Sequence, residues 1–357
     1  MGYTNMYTFE DIDYVEIDAR CKFNYASYYI LGLEQGEVRY KFSLNSSFAD
    51  VMSNHEDYTR GCAMIFYLKN GQKRNVFLDY HDDNDILDKA YEWSDVYASV
   101  NICKSKIKEK VLPIGPSCGV RVYSFPKLTR TMFSNMCKIF SRGGYKPPIK
   151  DILRDYYYTL YRRIPYEKYF DRVPVVQDYC FAISTLWYDE VTDKYTNNYR
   201  HMFIKVCSNI IPKFEGGFFL IKGAEKFFEK YSSYMETYQG LIFHTRISLK
   251  EYIKKTKKSI IVFNTPSVKL CLGWKLAEYL MMGKAIISTE IENVMPGNFL
   301  KGKQYLLARN EDEIDMAVRK LFENRVLREK MEHSAKQYFN EYLSPTKVLE
   351  RILNFNN

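Results

Sequence analysis

The stretch that most constrains the fold is residues 259–289, SIIVFNTPSVKLCLGWKLAEYLMMGKAIIST. It begins with a short apolar, β-branched run at 260–263, which is typical of a parallel strand buried on both faces. Strong helix formers follow from 273 to 282 and end at Gly283, where a helix is expected to stop. A second apolar run at 285–287 completes a predicted βαβ unit. Because helix N-termini attract anions, we expect the loop 264–274 to bind a phosphate.

Length and composition indicate a globular protein with two domains. The chain has 357 residues, of which 46% are hydrophobic and 27% are charged. Its eight cysteines include no CxxC pair, and no histidine is spaced for a zinc site, so reduced and buried thiols are expected. We find neither a signal peptide nor an apolar run of transmembrane length. These features predict a cytoplasmic protein, either free or peripheral on the inner face of the cell membrane.

The middle of the chain is strongly basic and aromatic. Residues 127–172 contain eleven Lys and Arg against four Asp and Glu, interleaved with Phe and Tyr. Such a segment suits an anionic membrane surface or a phosphorylated acceptor, and a solvated helical face is the simpler alternative. A nucleic-acid groove would also combine basic and aromatic residues. No nucleic-acid motif accompanies them, so nucleic acid is not an expected partner.

The remaining pattern predicts strands and helices in alternation, which indicates two α/β domains in series. The pattern of the first domain leaves room for some antiparallel or irregular strand pairing. We expect a first domain at 1–172, with 127–172 helical, and a second at 173–340. A cleft between two such domains is the usual place for a ligand. The predicted strands lie at 13–18, 38–44, 62–68, 75–79, 111–114, 175–184, 217–221 and 241–244, and the predicted helices include 24–34, 197–209, 224–238, 249–256 and the tail 311–353.

At GWKLAEYLMMGKAIIST (273–289) the sequence resembles the GT-B glycosyltransferases of bacterial capsule and O-antigen clusters. Similar segments are KVLPIGPSCGVR (110–121), STLWYDE (184–190), FEGGF (214–218) and RISLKEYIKKTKKSIIVFNTP (246–266). The resemblance implies two Rossmann-like domains that face a cleft, with acceptor bound by the first and nucleotide-sugar by the second. It also implies a final helix at 341–357 that packs back on the first domain, and no metal.

The resemblance places a donor site in the second domain. Glu278 falls where such enzymes hold the ribose hydroxyls, and a carboxylate can accept both. The alternative is an i,i+3 pair between Glu278 and Lys275 on a solvated face. Arg200 and Lys205 resemble the basic pair aimed at the pyrophosphate, where cations neutralise the departing phosphate; solubilising surface charges are the alternative. The expected donor-binding residues are Arg200, Lys205, Arg246, Asn264, Thr265, Gly273, Trp274, Lys275 and Glu278.

One departure from the family pattern bears on catalysis. Retaining members often carry Glu-x7-Glu, and the position of the first Glu is Leu270 here. An inverting reaction would instead need a general base in the acceptor domain. The candidates are His81, Asp82 and Asp83, which follow a predicted strand, and Asp18 at the end of the first strand; N-capping or ordinary loop acids are the alternative for each. In the segment 20–25 we expect Arg20 or Lys22 to approach the donor phosphates.

The leading interpretation is a glycosyltransferase that moves a hexosyl or related unit from a nucleotide-sugar, with UDP expected, to a lipid-linked or growing surface glycan. The nucleotide-sugar would be a co-substrate, and no cofactor is expected. A second interpretation takes Asp83-Asn84-Asp85 as the metal-binding DxD of a GT-A transferase. A third is a nucleotide-sugar-binding module without catalysis.

Overall fold

The computed structural model describes residues 6–187, 192–221 and 236–356. The chain forms two compact units. The first contains Met1–Tyr166, Asn293–Gly297 and Asn340–Asn357, and the second contains Glu167–Glu292 and Asn298–Phe339. Each unit combines a β-sheet with helices, so the predicted α/β class with two domains is confirmed.

The first unit is built on a six-stranded sheet in the order β2-β1-β3-β4-β5-β6. The strands are β1 Ile12–Asp18, β2 Tyr40–Ser43, β3 Gly61–Leu68, β4 Lys73–Asp79, β5 Val96–Ser99 and β6 Val111–Pro113. Only β3 runs antiparallel to its neighbours, and it joins β4 through a tight turn where Gly71 has a φ of 87°. β1 and β4 are therefore parallel, and Asp18 and Asp79 end them at the same edge of the sheet.

The described α-helices are, in chain order, α1 Phe23–Gln35, α2 His55–Arg60, α3 Asp88–Trp93, α4 Phe125–Ser141, α5 Ile149–Tyr161, α6 Asn198–Ile210, α7 Leu249–Lys258, α8 Trp274–Met282, α9 Glu311–Glu323, α10 Arg325–Tyr338 and α11 Pro345–Leu353. The predicted helix at 224–238 lies mostly outside the described residues. Within the described chain, no helix combines the length and the apolar character needed to cross a bilayer.

The C-terminal helix α11 packs on α1 of the first unit, as predicted. The two helices meet at Gly32, where an added Cβ would lie 2.6 Å from the carbonyl oxygen of Pro345. The hydroxyl of Tyr28 donates to the carbonyl of Leu343 over 2.6 Å. Arg74 on β4 donates to the carbonyls of Leu353 and Phe355, which lack helical partners at the end of α11. These contacts fix the end of the chain on the first unit.

The second unit holds two parallel three-stranded sheets that lie edge to edge. One has the order β7-β8-β9 and the other β10-β11-β12. The strands are β7 Tyr179–Thr185, β8 Lys213–Phe219, β9 Ile242–Phe243, β10 Val262–Asn264, β11 Ile286–Ser288 and β12 Tyr305–Leu307. The predicted βαβ unit is confirmed as β10, α8 and β11, and α8 ends at Gly283 in the left-handed conformation (φ 62°).

The seam between the two sheets lies between β7 and β10. The backbone N–H of Ile260 donates to the carbonyl of Tyr179 over 2.9 Å, which sets the two strands side by side. From β7 the chain proceeds outwards to β8, and from β10 it proceeds in the opposite direction to β11. This reversal is the switch point at which parallel α/β sheets bind ligands, beyond the carboxyl ends of the strands.

Candidate functional site

Two basic side chains meet the carboxyl ends of β7 and β10. Arg200, on α6, donates from Nε to the hydroxyl of Thr265 over 3.0 Å and from Nη1 to the carbonyl of Thr185 over 3.2 Å. Lys275, in the first turn of α8, donates from Nζ to the carbonyl of Ile183 over 2.9 Å and to the hydroxyl of Ser184 over 2.6 Å. Arg200 and Lys275 are therefore held at the switch point by residues that end the two strands.

These two cations have no carboxylate partner among the described residues. Burial lowers the pKa of Lys275 well below its ordinary value, and the neighbouring charge of Arg200 lowers it further, against an opposing effect of Glu278. Burial also lowers the pKa of Arg200 to about 10. Two partly dehydrated positive charges beside each other are unfavourable, and a bound anion would relieve the cost of both.

Aromatic side chains form the walls of the pocket beside Arg200. Tyr252 on α7 and Tyr279 on α8 bring their hydroxyls to 3.3 Å from each other. Phe203 and Phe263 stack with ring centres 4.6 Å apart. The other residues that line the pocket come from β7, from Phe181 to Ser184. Apolar walls around a few polar groups are usual in ligand sites, and they strengthen electrostatic interactions by excluding water.

The loop that leads into α8 has an unusual backbone. Lys269 and Leu270 have φ values of 51° and 62°, in the left-handed region that residues other than glycine rarely enter. Each such residue costs on the order of 1 kcal/mol, and such strain clusters at functional sites. The sequence indicated only that Leu270 lacks a carboxylate. The strained backbone at this position was not predicted, and no local sequence signal marks it.

Gly273 is the N-cap of α8, and the fold itself does not require glycine there. Its φ is −83°, and among the described residues an added Cβ would meet only the Cβ of Ser267, at an ordinary 3.6 Å. The predicted close approach at Gly273 would therefore have to involve a group outside the chain.

Glu278 is buried within α8, with 6% of its surface exposed. Its Oε1 accepts a hydrogen bond from the hydroxyl of Tyr169 over 3.1 Å. The alternative in which Glu278 lies on a solvated face is wrong, because Leu276, Ala277 and Tyr279 are buried around it. Tyr169 is a contact that the sequence analysis missed, since it belongs to the basic segment far from α8 in the chain.

The other predicted donor residues differ in burial and in their contacts. Asn264 ends β10, where its side chain donates to the hydroxyl of Ser288 over 2.9 Å. Trp274 opens α8 and is half-buried, whereas Arg246 is exposed after β9. Lys205 is 58% exposed and pairs with Glu311 at 2.7 Å. Because it follows Arg200 by five positions on α6, it lies on a different face of that helix.

Asp18 and Arg20 in the first unit bind each other. The guanidinium group of Arg20 contacts both carboxylate oxygens of Asp18, at 2.6 and 2.9 Å, and both side chains are buried. Arg20 also donates to the carbonyl of Met52 over 2.7 Å. The structure therefore places the predicted base Asp18 and the predicted phosphate contact Arg20 in a buried ion pair. Lys22 is half-buried, with its Nζ 5.5 Å from the ring centre of Tyr58.

His81 and Asp83 form a dyad beyond the carboxyl end of β4. Nδ1 of His81 lies 2.9 Å from a carboxylate oxygen of Asp83, and the other oxygen lies 3.1 Å from the buried guanidinium of Arg60. Burial opposes ionisation of Asp83, but the hydrogen bond with His81 and the charge of Arg60 hold its pKa below the ordinary value. Arg60 also pairs with Asp79 at 3.1 Å. Within the described part of the chain, Nε2 of His81 has no hydrogen-bond partner.

The run 83–85 does not gather carboxylates into a cation site. Asp83 faces His81 and Arg60, whereas Asp85 and Asn84 both contact Nζ of Lys106, at 2.5 and 2.7 Å. Asp82 is exposed. Among the residues that the structure describes, no group of three or more His, Cys, Asp or Glu side chains is arranged to hold a metal ion.

Comparison with known proteins finds similarity only among solved structures. No protein-family model matches the sequence, and no curated protein matches it. Glycosyltransferase structures resemble the chain. Anabaena Alr3699/HepE in complex with UDP-glucose aligns over 49% of this chain and 47% of that one, with 11% identity and a TM-score of 0.37. The same protein with UDP aligns over 74% and 64%, with 8% identity and a TM-score of 0.44.

A glycosyltransferase from Rickettsia africae aligns over 92% of this chain and 88% of that one, with 11% identity and a TM-score of 0.40. In the two HepE alignments, the present chain spans less than two thirds of the length of HepE. Similarity at this level assigns no activity, so the function has to be argued from the residues of this chain.

Proposed function

We propose that the second unit binds a nucleotide-sugar and that the chain is a glycosyltransferase of the GT-B type. The observation that carries the proposal is the pair Arg200 and Lys275, two half-buried cations without a carboxylate partner in the described chain. They lie at the switch point of a parallel sheet, next to the N-terminus of α8, whose N-cap Gly273 supplies no capping side chain. A diphosphate matches this arrangement in charge and in hydrogen bonding.

In the proposed complex, Glu278 accepts the ribose hydroxyls and the diphosphate lies between the start of α8 and the two cations. During transfer, the bond between the anomeric carbon and the β-phosphate oxygen breaks, and negative charge develops on the departing nucleoside diphosphate. Arg200 and Lys275 would stabilise this charge in a site that aromatic rings shield from water. This role needs no metal ion.

His81 is the base that the geometry of the first unit favours. Asp83 accepts a hydrogen bond from Nδ1–H of His81, which leaves the lone pair of Nε2 to take the proton from an acceptor hydroxyl. The acceptor oxygen would then bond to the anomeric carbon as the diphosphate leaves, with inversion. Asp18 is withdrawn into its ion pair with Arg20 and suits this role less. A UDP-hexose donor and a lipid-linked or growing surface glycan are the expected substrates.

Thermal unfolding with a panel of nucleotide-sugars tests donor binding. A ligand at about 100 times its Kd stabilises the folded protein by about 2.7 kcal/mol, which raises Tm by several degrees. We expect UDP and one UDP-sugar to raise Tm, while uridine at the same concentration has little effect. If no nucleoside diphosphate or nucleotide-sugar raises Tm at millimolar concentration, the proposal fails.

Release of nucleoside diphosphate in the presence of acceptor tests catalysis. We expect His81→Asn to lower turnover by a factor of about 100 or more, the range for a lost general base, with unchanged donor affinity. Asp82→Asn is the matched control, because Asp82 is exposed beside the dyad, and it should retain turnover. Full turnover in His81→Asn would exclude this base. Donor binding without any transfer across a broad acceptor panel would favour a binding module.

A further inference from the structure

Two helices of the first unit expose apolar side chains in regular rows. On α5, Ile149, Leu153, Tyr157 and Tyr161 follow each other at four-residue intervals, and each is between 44% and 65% exposed. This spacing places them along one side of the helix. On α4, Phe133 and Phe140, which are seven positions apart, are also exposed. We refer to these six side chains as the α4–α5 face.

The opposite sides of both helices are already occupied by the protein core. Leu128 and Ile139 on α4 and Ile152 and Tyr156 on α5 are buried. The two helices are joined by a hydrogen bond from the side chain of Asn135 to the hydroxyl of Tyr156, over 3.1 Å. The α4–α5 face is thus a second apolar surface on helices whose packing against the unit is complete, and folding of the unit does not account for it.

The charge around this face is positive. Residues 125–163 contain nine Lys and Arg but only Asp151 and Asp155 as acids. Asp155 is buried against the backbone N–H of Asn24, and Asp151 pairs with Arg154 at 2.8 Å. Neither carboxylate is therefore available to neutralise the remaining bases. Arg130 and Lys150 are exposed, and within the described residues neither forms an ion pair.

We propose that the α4–α5 face lies on an anionic lipid bilayer, with its aromatic and aliphatic side chains at the level of the lipid headgroups. Amphipathic helices of this kind bind in the plane of the interface through buried apolar area together with attraction to anionic lipids. Nucleic acid would use the basic residues and the rings, but it gives no favourable contact to Ile149 and Leu153. The inference does not depend on the proposed function, because it concerns a different surface.

Co-sedimentation with vesicles tests the inference on the full chain. We expect binding to phosphatidylcholine vesicles that contain about one third phosphatidylglycerol, and much weaker binding to pure phosphatidylcholine. A charge variant, Arg130→Gln with Lys146→Gln and Lys150→Gln, should weaken binding by about fivefold for each charge removed. An apolar variant, Phe133→Ser with Leu153→Ser and Tyr157→Ser, should reduce it by at least tenfold, and salt should not restore it.

Matched controls come from α9 and α10, where Met316 and Val326 are 62% and 77% exposed. Met316→Ser with Val326→Ser, and Lys320→Gln with Lys330→Gln, remove comparable groups and should leave vesicle binding unchanged. The proposal is overturned if the wild-type chain does not bind anionic vesicles, or if the α4–α5 variants bind as well as the controls. It is also overturned if the apolar variant abolishes a concentration-dependent dimer, since a second copy would then cover the face.

Discussion

Replacement of Lys275 by methionine tests the anion site most directly. Methionine keeps the length and most of the volume of the side chain but removes its charge. The variant loses two hydrogen bonds from Nζ, at 2.9 and 2.6 Å, and it also loses the cost of holding a partly dehydrated ammonium group next to Arg200. These effects oppose each other, so we expect the free energy of unfolding to change by less than about 2 kcal/mol.

The effect on ligand binding should be larger and selective for phosphate. A hydrogen bond between an ammonium group and a phosphate oxygen contributes about 1.5–3 kcal/mol. Its loss raises the Kd for UDP by about 10- to 150-fold, since each 1.4 kcal/mol is a factor of ten. Uridine has no phosphate, so its weaker binding should change by less than about twofold. Isothermal titration calorimetry with both ligands measures the two effects.

Lys205→Met is the control for this experiment, because Lys205 lies on the surface of the same unit and pairs with Glu311. An exposed ion pair contributes between zero and about 1 kcal/mol, so neither stability nor UDP affinity should change much. An unchanged Kd for UDP in Lys275→Met would refute the assignment of the diphosphate site. An equal loss in Lys205→Met would show that net charge, and not the geometry at the switch point, determines affinity.

Three further predictions follow from single groups. A bound diphosphate should raise the lowered pKa of Lys275, so UDP binding takes up protons and UDP affinity falls as pH rises through the pKa of the free side chain. Calorimetry in buffers of different ionisation enthalpy measures this proton uptake, and Lys275→Met should abolish it. Burial raises the pKa of Asp155 to about 7, so the folded state holds an additional proton and the free energy of unfolding falls as pH rises from about 4 to 7. In urea unfolding, Asp155→Asn should lack this pH dependence of stability. Gly32→Ala should lower the free energy of unfolding by about 1–3 kcal/mol, because the added Cβ forces α11 away. Gly143→Ala should not destabilise, because no atom of the described residues lies within 4 Å of its added Cβ.

The α/β class and the βαβ unit at 259–289 could be predicted because their signals are local. Two β-branched runs, a block of helix formers and a glycine stop each act within a few residues, and the structure confirms β10, α8 and β11 at those positions. The sequence left some antiparallel pairing open in the first domain but did not assign it to β3, since strand pairing depends on the partner across the sheet and on the turn at Gly71.

Contacts between distant residues could not be predicted in the same way. Asp18 and Arg20 are only two positions apart, but their burial depends on α1 and on the backbone of Met52. Arg60 contacts both Asp79 and Asp83, although no local pattern connects α2 with the end of β4. Asp18 and Arg20, which the sequence predicted as a base and a phosphate contact, therefore bind each other within the fold. His81, in contrast, has a ring nitrogen with no hydrogen-bond partner in the described chain.

The sequence by itself predicted a phosphate site at the start of α8, because helix formers after a buried strand imply a helix N-terminus at the edge of a sheet. Only the tertiary structure decided which of the predicted cations lie together there. The seam between β7 and β10 brings Arg200 and Lys275 together, whereas Lys205 lies on another face of α6 and pairs with Glu311. The physical reason is that helix and strand patterns depend on near neighbours, whereas the pairing of charges depends on how the sheet brings distant segments together.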